Sequence, residues 1–89
     1  MQTYLIDFYL YCKWDNVAPT YRLYCDGNLM TERTYIWHND EHVLEERVPL
    51  LTKSDKAVIR IEQVGQHSGI FSVKHVRPYP DLDVTIEIV

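Results

Sequence analysis

Tyr9, Tyr11, Arg22 and Tyr24, with Lys13 close by, are the side chains of this sequence best suited to holding another molecule. Aromatic rings offer flat apolar area with a polar edge, and a neighbouring cation adds attraction for planar ligands, sugars and protein surfaces. The four are expected to share one outward binding patch. If the first two strands form a hairpin across Trp14 to Pro19, matching their parities pairs Leu10 with Leu23. Tyr9 then lies opposite Tyr24, and Tyr11 opposite Arg22. Cross-strand pairs of this kind stabilise a sheet by a few tenths to about 1 kcal/mol with no ligand at all. Several aromatic and arginine neighbours on a face that no core requires favour an interface.

Other groupings carry less chemistry. In His38-Asn39-Asp40-Glu41-His42, an extended chain puts His38, Asp40 and His42 on one side as metal ligands, but no fourth ligand converges from elsewhere, so a solvated loop is expected. Asp15 and Asn16, Asp26 and Asn28, Asn39 to Glu41, and Asp81 and Asp83 offer oxygens that Ca²⁺ prefers, yet none has the spacing of a dedicated loop. No cofactor and no metal are expected. A Gly-flanked Ser, an HExxH pair and a phosphate-cradling glycine loop are all missing, and Glu45 and Glu46, adjacent on a strand, point to opposite faces. The chain is therefore not expected to be an enzyme.

The elements that must position these residues are legible as alternation. Tyr4, Ile6, Phe8, Leu10 and Cys12 are apolar, while the interleaved Leu5, Asp7, Tyr9, Tyr11 and Lys13 are mixed, which is the period-2 signature of a strand with one buried face. Tyr21, Leu23 and Cys25, then Ala57, Ile59 and Ile61, then Leu82, Val84, Ile86 and Ile88 repeat it. Strands are expected at about Thr3–Lys13, Thr20–Cys25, Leu29–Trp37, Val43–Leu51, Ala57–Val64, Ile70–Val76 and Leu82–Val89. Asp26-Gly27-Asn28 is the strongest turn signal, since these residues accept the positive φ of tight hairpins. Seven short strands separated by turns predict an all-β, single-domain antiparallel β-sandwich spanning residues 1–89. Val43-Leu44 and Leu50-Leu51 are apolar on both parities, and the last strand, if it lies at an edge, is able to pair with a second subunit.

Composition sets the remaining bounds. Eighty-nine residues, 46% hydrophobic and 25% charged, make one globular domain with a modest core. A net charge of −4 without a Lys/Arg cluster disfavours nucleic acid. No basic leader precedes an apolar run, and no run reaches about 18 apolar residues, so neither export nor a membrane span is expected. In the hairpin register Cys12 faces Tyr21 and Cys25 faces Phe8, too far apart for a disulfide, so both thiols are expected to be free, buried and reduced, as in a cytoplasmic protein.

The stretch Thr20-Tyr21-Arg22-Leu23-Tyr24-Cys25-Asp26-Gly27-Asn28-Leu29-Met30-Thr31-Glu32-Arg33-Thr34-Tyr35 resembles a hairpin of small uncharacterised all-β proteins of tailed phages. It is also similar to hairpins of carbohydrate-binding β-sandwich modules. The phage resemblance implies a viral accessory or structural protein acting in the host cytoplasm or on the virion, and it carries over no active-site residue. Two functions are consistent with the whole sequence. The first is a non-enzymatic protein-interaction module that self-associates as a homo-oligomer. The alternative is a small-ligand or carbohydrate-binding sandwich in which Tyr9, Tyr11, Arg22, Tyr24, Trp14 or Trp37 stack on the ligand, with calcium at a loop.

Overall fold

The computed structural model describes residues 1–37, 43–65 and 69–89. Seven strands, β1 (Gln2–Trp14), β2 (Thr20–Cys25), β3 (Asn28–Thr34), β4 (Leu44–Thr52), β5 (Lys56–Val64), β6 (Gly69–Tyr79) and β7 (Asp83–Ile88), form an all-β sandwich. One sheet has the order β4-β1-β6 and the other β3-β2-β5-β7.

The inward parities are those that the alternation predicts. Ile6, Phe8 and Leu10 of β1 pack against Tyr21, Leu23 and Cys25 of β2 and Ala57, Ile59 and Ile61 of β5, all essentially inaccessible. Val48, Tyr35 and Phe71 complete the core. At about 1.5–3 kcal/mol for each large apolar side chain removed from water, this face-to-face burial dominates the energetics.

One expectation about connectivity fails. The hairpin between the first two strands does not form, because β1 and β2 lie in different sheets. Residues 15–19 instead carry the chain across the sandwich, with Pro19 buried. The expected hairpin and the observed crossing satisfy the same side-chain parity, and the crossing buries both apolar faces against each other at once. The sheets are antiparallel as expected except at one pair. β5 and β7 run parallel, because the intervening β6 belongs to the opposite sheet and the chain reverses twice before returning.

The turn between β2 and β3 is as predicted. Asp26 (φ 50°) and Gly27 (φ 84°) both adopt the left-handed conformation of a two-residue hairpin turn, and the Asp26 carboxylate accepts a 2.8 Å hydrogen bond from the Val58 N–H. Strand β3 is shorter than expected and β6 longer. β6 contains a bulge: between Asp7, paired with Arg77, and Tyr9, paired with Lys74, the partner strand holds one extra residue. His75 absorbs it at φ 56°.

Candidate interaction surface

The expected patch is split between the two outer faces of the sandwich. Tyr9 and Tyr11 project from β1 on the outside of the three-stranded sheet, whereas Arg22 and Tyr24 project from β2 on the outside of the four-stranded sheet. They do not form one site. Trp14 and Trp37 are half-buried; the Trp37 ring meets Tyr35 edge-on at 5.4 Å, and the Trp14 indole donates to the Trp37 carbonyl at 2.8 Å.

On the three-stranded sheet, Tyr9 and Tyr11 have basic partners that the sequence reading missed. Lys74 Nζ lies 5.1 Å from the centre of the Tyr11 ring and the Arg77 guanidinium 5.3 Å from that of Tyr9. The His75 ring meets Tyr9 edge-on at 5.4 Å. The bulge is the cause: strict alternation would turn one of two adjacent residues inward, but the extra residue leaves Lys74, His75 and Arg77 all exposed. Rows across the sheet complete the surface. Pro49, Leu5 and Tyr79 form an apolar row with Leu51 beside it; Arg47, Asp7 and Arg77 form the next; Glu45, Tyr9 and Lys74 the third. Arg47 binds Glu45 at 2.9 Å and lies 3.9 Å from Asp7 Oδ1, which has no hydrogen-bond partner among the described residues. The available signal was Lys74-His75-Val76-Arg77, three basic side chains in four residues, which strict alternation would have divided between faces.

The other outer face has a different character. Arg22 is held by Glu32 at 2.7 Å, and Tyr24 borders a hollow of about 380 Å³ with Gly27, Val58, Arg60, Glu62 and Glu87. Arg60 is tied to Glu62 at 3.2 Å.

Inside the sandwich sits a charge that the sequence reading did not place. Glu46, 2% exposed, accepts a 2.6 Å hydrogen bond from the Tyr21 hydroxyl and pairs with Arg33 Nε at 2.9 Å. Burial, then the Glu46 carboxylate, raise the Tyr21 hydroxyl well above the ordinary tyrosine range. The inward side chains Leu44, Val48 and Leu50 share the parity of Glu46, and that was the signal for its burial.

Both cysteines are free. They lie in opposite sheets and toward opposite ends of the sandwich, which replaces the hairpin register as the reason. Burial pushes each thiol up to about 11, which disfavours a nucleophilic thiolate. Among the described residues no group of three His, Cys, Asp or Glu side chains is placed to hold a metal ion. The sequence His38 to His42 lies outside the described residues. No helix among the described residues is long and apolar enough to cross a membrane.

Comparison with protein-family models, with curated proteins and with solved structures finds no match to this chain. None of the three links the Thr20 to Tyr35 hairpin to phage proteins or to carbohydrate-binding modules.

Proposed function

We propose that this chain is a non-enzymatic protein-interaction module that binds a protein partner through the outer face of its three-stranded sheet. The observation that carries this reading is the column of Tyr9 and Tyr11 flanked by Lys74, His75 and Arg77, continuous with the exposed Leu5, Pro49, Leu51 and Tyr79. Tyrosine and arginine beside apolar side chains are the residues that anchor protein interfaces. The charges on this face, Lys13, Arg47, Lys74 and Arg77 against Asp7 and Glu45, oppose the −4 of the whole chain, so the partner surface is acidic. Three strands about 4.8 Å apart and about 11 residues long project roughly 500 Å². A footprint this small favours a transient interaction over an obligate one. A role as a phage accessory or structural protein in the host cytoplasm rests only on the hairpin resemblance.

The test compares capture of partners from a cell extract by the wild type, by Tyr9→Ala combined with Arg77→Glu, and by Tyr24→Ala, each first shown to fold. The outer-face variant is expected to lose the captured set, and rising salt to weaken wild-type capture, while Tyr24→Ala retains it. Equal capture by all three refutes this surface. The hollow at Tyr24 favours a second reading, a small polar ligand such as a sugar held by the ring, Arg60 and the two glutamates. Under that reading Tyr24→Ala is the damaging change, and binding to a glycan panel reports it.

A further inference from the structure

Three of the four edge strands carry features that discourage pairing with another chain. β3 turns Arg33 inward and is bulged opposite Leu23 and Tyr24. β4 contains Pro49 and the inward Glu46. β6 has the His75 bulge and Pro78. A proline lacks the N–H of the ladder, a bulge breaks its spacing, and an inward charge resists burial, so such edges reject a further strand. β7, with the sequence Asp83-Val84-Thr85-Ile86-Glu87-Ile88, has none of these devices and pairs with β5 in an unbroken register.

Backbone direction along β7 follows from its bonds. Asp83 N–H donates to the Asp55 carbonyl and Val89 N–H to the Ile61 carbonyl. In a parallel pair alternate residues face the partner, so Asp83, Thr85, Glu87 and Val89 face β5. The N–H and C=O groups of Val84, Ile86 and Ile88 therefore point out of the sheet. Their side chains lie on the inner face yet remain incompletely covered, because three strands cannot roof four. Ile88 is 46% exposed, while Ala57, Ile59 and Ile61 on adjacent β5 are at most 1% exposed.

We infer that β7 is the docking edge for a second copy of this chain, paired antiparallel about a two-fold axis at Ile86. Two conditions constrain the register. Inner side chains must meet inner side chains, and the outward-pointing backbone groups must face one another. A two-fold at Ile86 meets both conditions. It sets Ile86 opposite its own copy, Val84 opposite Ile88, Thr85 opposite Glu87 and Asp83 opposite Val89. Any two-fold centred on a residue of β7 meets them, so charge decides: one at Thr85 places Asp83 directly across from Glu87, and one at Glu87 sets that carboxylate against its own copy, like-charge pairs that destabilise a ladder. The chosen register leaves no like-charge pair, extends the apolar inner stripe, and joins two four-stranded sheets into one. It uses a different surface from the proposed partner-binding face and does not depend on it.

The test is a cysteine scan along β7 with sedimentation. Cα atoms of a hydrogen-bonded antiparallel pair lie about 5.5 Å apart, within disulfide reach. Ile86→Cys is expected to give a covalent dimer under mild oxidation, while the wild type and Thr85→Cys stay uncrosslinked. Ile88→Lys, at a half-exposed position, should keep the fold and weaken dimerisation at least about tenfold, whereas Arg77→Glu should leave it unchanged. Crosslinking of Thr85→Cys in place of Ile86→Cys overturns the register. A wild type that stays monomeric at about 1 mM, or an Ile88→Lys variant that dimerises as the wild type does, overturns the docking edge.

Discussion

The buried cluster of Glu46, Tyr21 and Arg33 makes a prediction about non-additivity. Tyr21→Phe keeps the ring and its 5.3 Å edge contact with Phe71 but removes the 2.6 Å hydrogen bond, leaving the carboxylate with Arg33. Loss of a hydrogen bond to a charged group is expected to cost about 1.5–3 kcal/mol. Arg33→Met strands the same carboxylate, but the arginine side chain is 51% exposed. Its loss should therefore cost about 2 kcal/mol, below the ~3–5 kcal/mol seen when a fully buried pair is broken. Glu46→Leu leaves the Tyr21 hydroxyl buried without an acceptor, for about 1–3 kcal/mol. Added together, these approach ~6 kcal/mol, most or all of the stability of a domain this size. The triple variant Tyr21→Phe, Arg33→Met, Glu46→Leu strands nothing, and it should lie within about 1–2 kcal/mol of the wild type. Urea titration followed by tryptophan fluorescence measures this, and each kcal/mol also moves Tm by about 4–8 °C. If the triple variant loses the sum of its parts, the three side chains do not act as a unit and the buried cluster is not formed in solution. The triple variant also strips the inward charges from the β3 and β4 edges, so sedimentation should show it associating more readily than the wild type.

Two further outcomes follow from packing and titration. A Cβ on Gly69 would sit 2.7 Å from Cys12 Sγ and 2.9 Å from Pro19 Cγ. Gly69→Ala should therefore destabilise by about 1–3 kcal/mol, and adding Cys12→Ala should recover part but not all of it in the same melts. Both thiols are neutral in folded and unfolded chains below the ordinary value of 9.0 and are held up to about 11 in the fold. Their contribution is thus complete below pH 9 and disappears as pH rises from 9 to 11, by roughly 2–3 kcal/mol at most for buried Cys25 and less for part-exposed Cys12. Urea midpoints should fall across that window, and a Cys25→Ala variant that falls as steeply as the wild type would refute the assignment.

Much of the architecture was legible because burial imposes period 2 on every strand. Ile6, Phe8 and Leu10, like Tyr21, Leu23 and Cys25, announce their inward face whichever sheet holds them. The sheet itself is not encoded in that alternation. A five-residue link at 15–19 serves a hairpin and a crossing equally, and the difference lies in long-range packing that no local pattern reports. For the same reason alternation reports the outward parity of Arg22 and Tyr24 but not which strands lie beside them. The bulge at His75 had no local signal, since histidine, unlike glycine, does not advertise a left-handed backbone, and without the bulge the three basic residues of Lys74 to Arg77 read as divided between two faces.

The central position of β1 bears on how the chain is made. Both of its hydrogen-bonding partners follow it, β4 ending at Thr52 and β6 at Tyr79. At about 5–20 residues per second of translation, the 38 residues from Trp14 to Thr52 occupy roughly 2–8 s. For that interval the nascent chain carries an unsatisfied, strongly apolar strand, the kind of segment that chaperones recognise and that drives co-translational aggregation. Asp7 interrupts it at mid-length. In the finished sheet its Oδ1 gains little, lying 3.9 Å from Arg47 without a hydrogen bond. By the same rule that puts charges beside aggregation-prone strands, this carboxylate is expected to hinder strand-to-strand sticking before β4 and β6 are made, and Asp7→Leu should raise the aggregated fraction during translation.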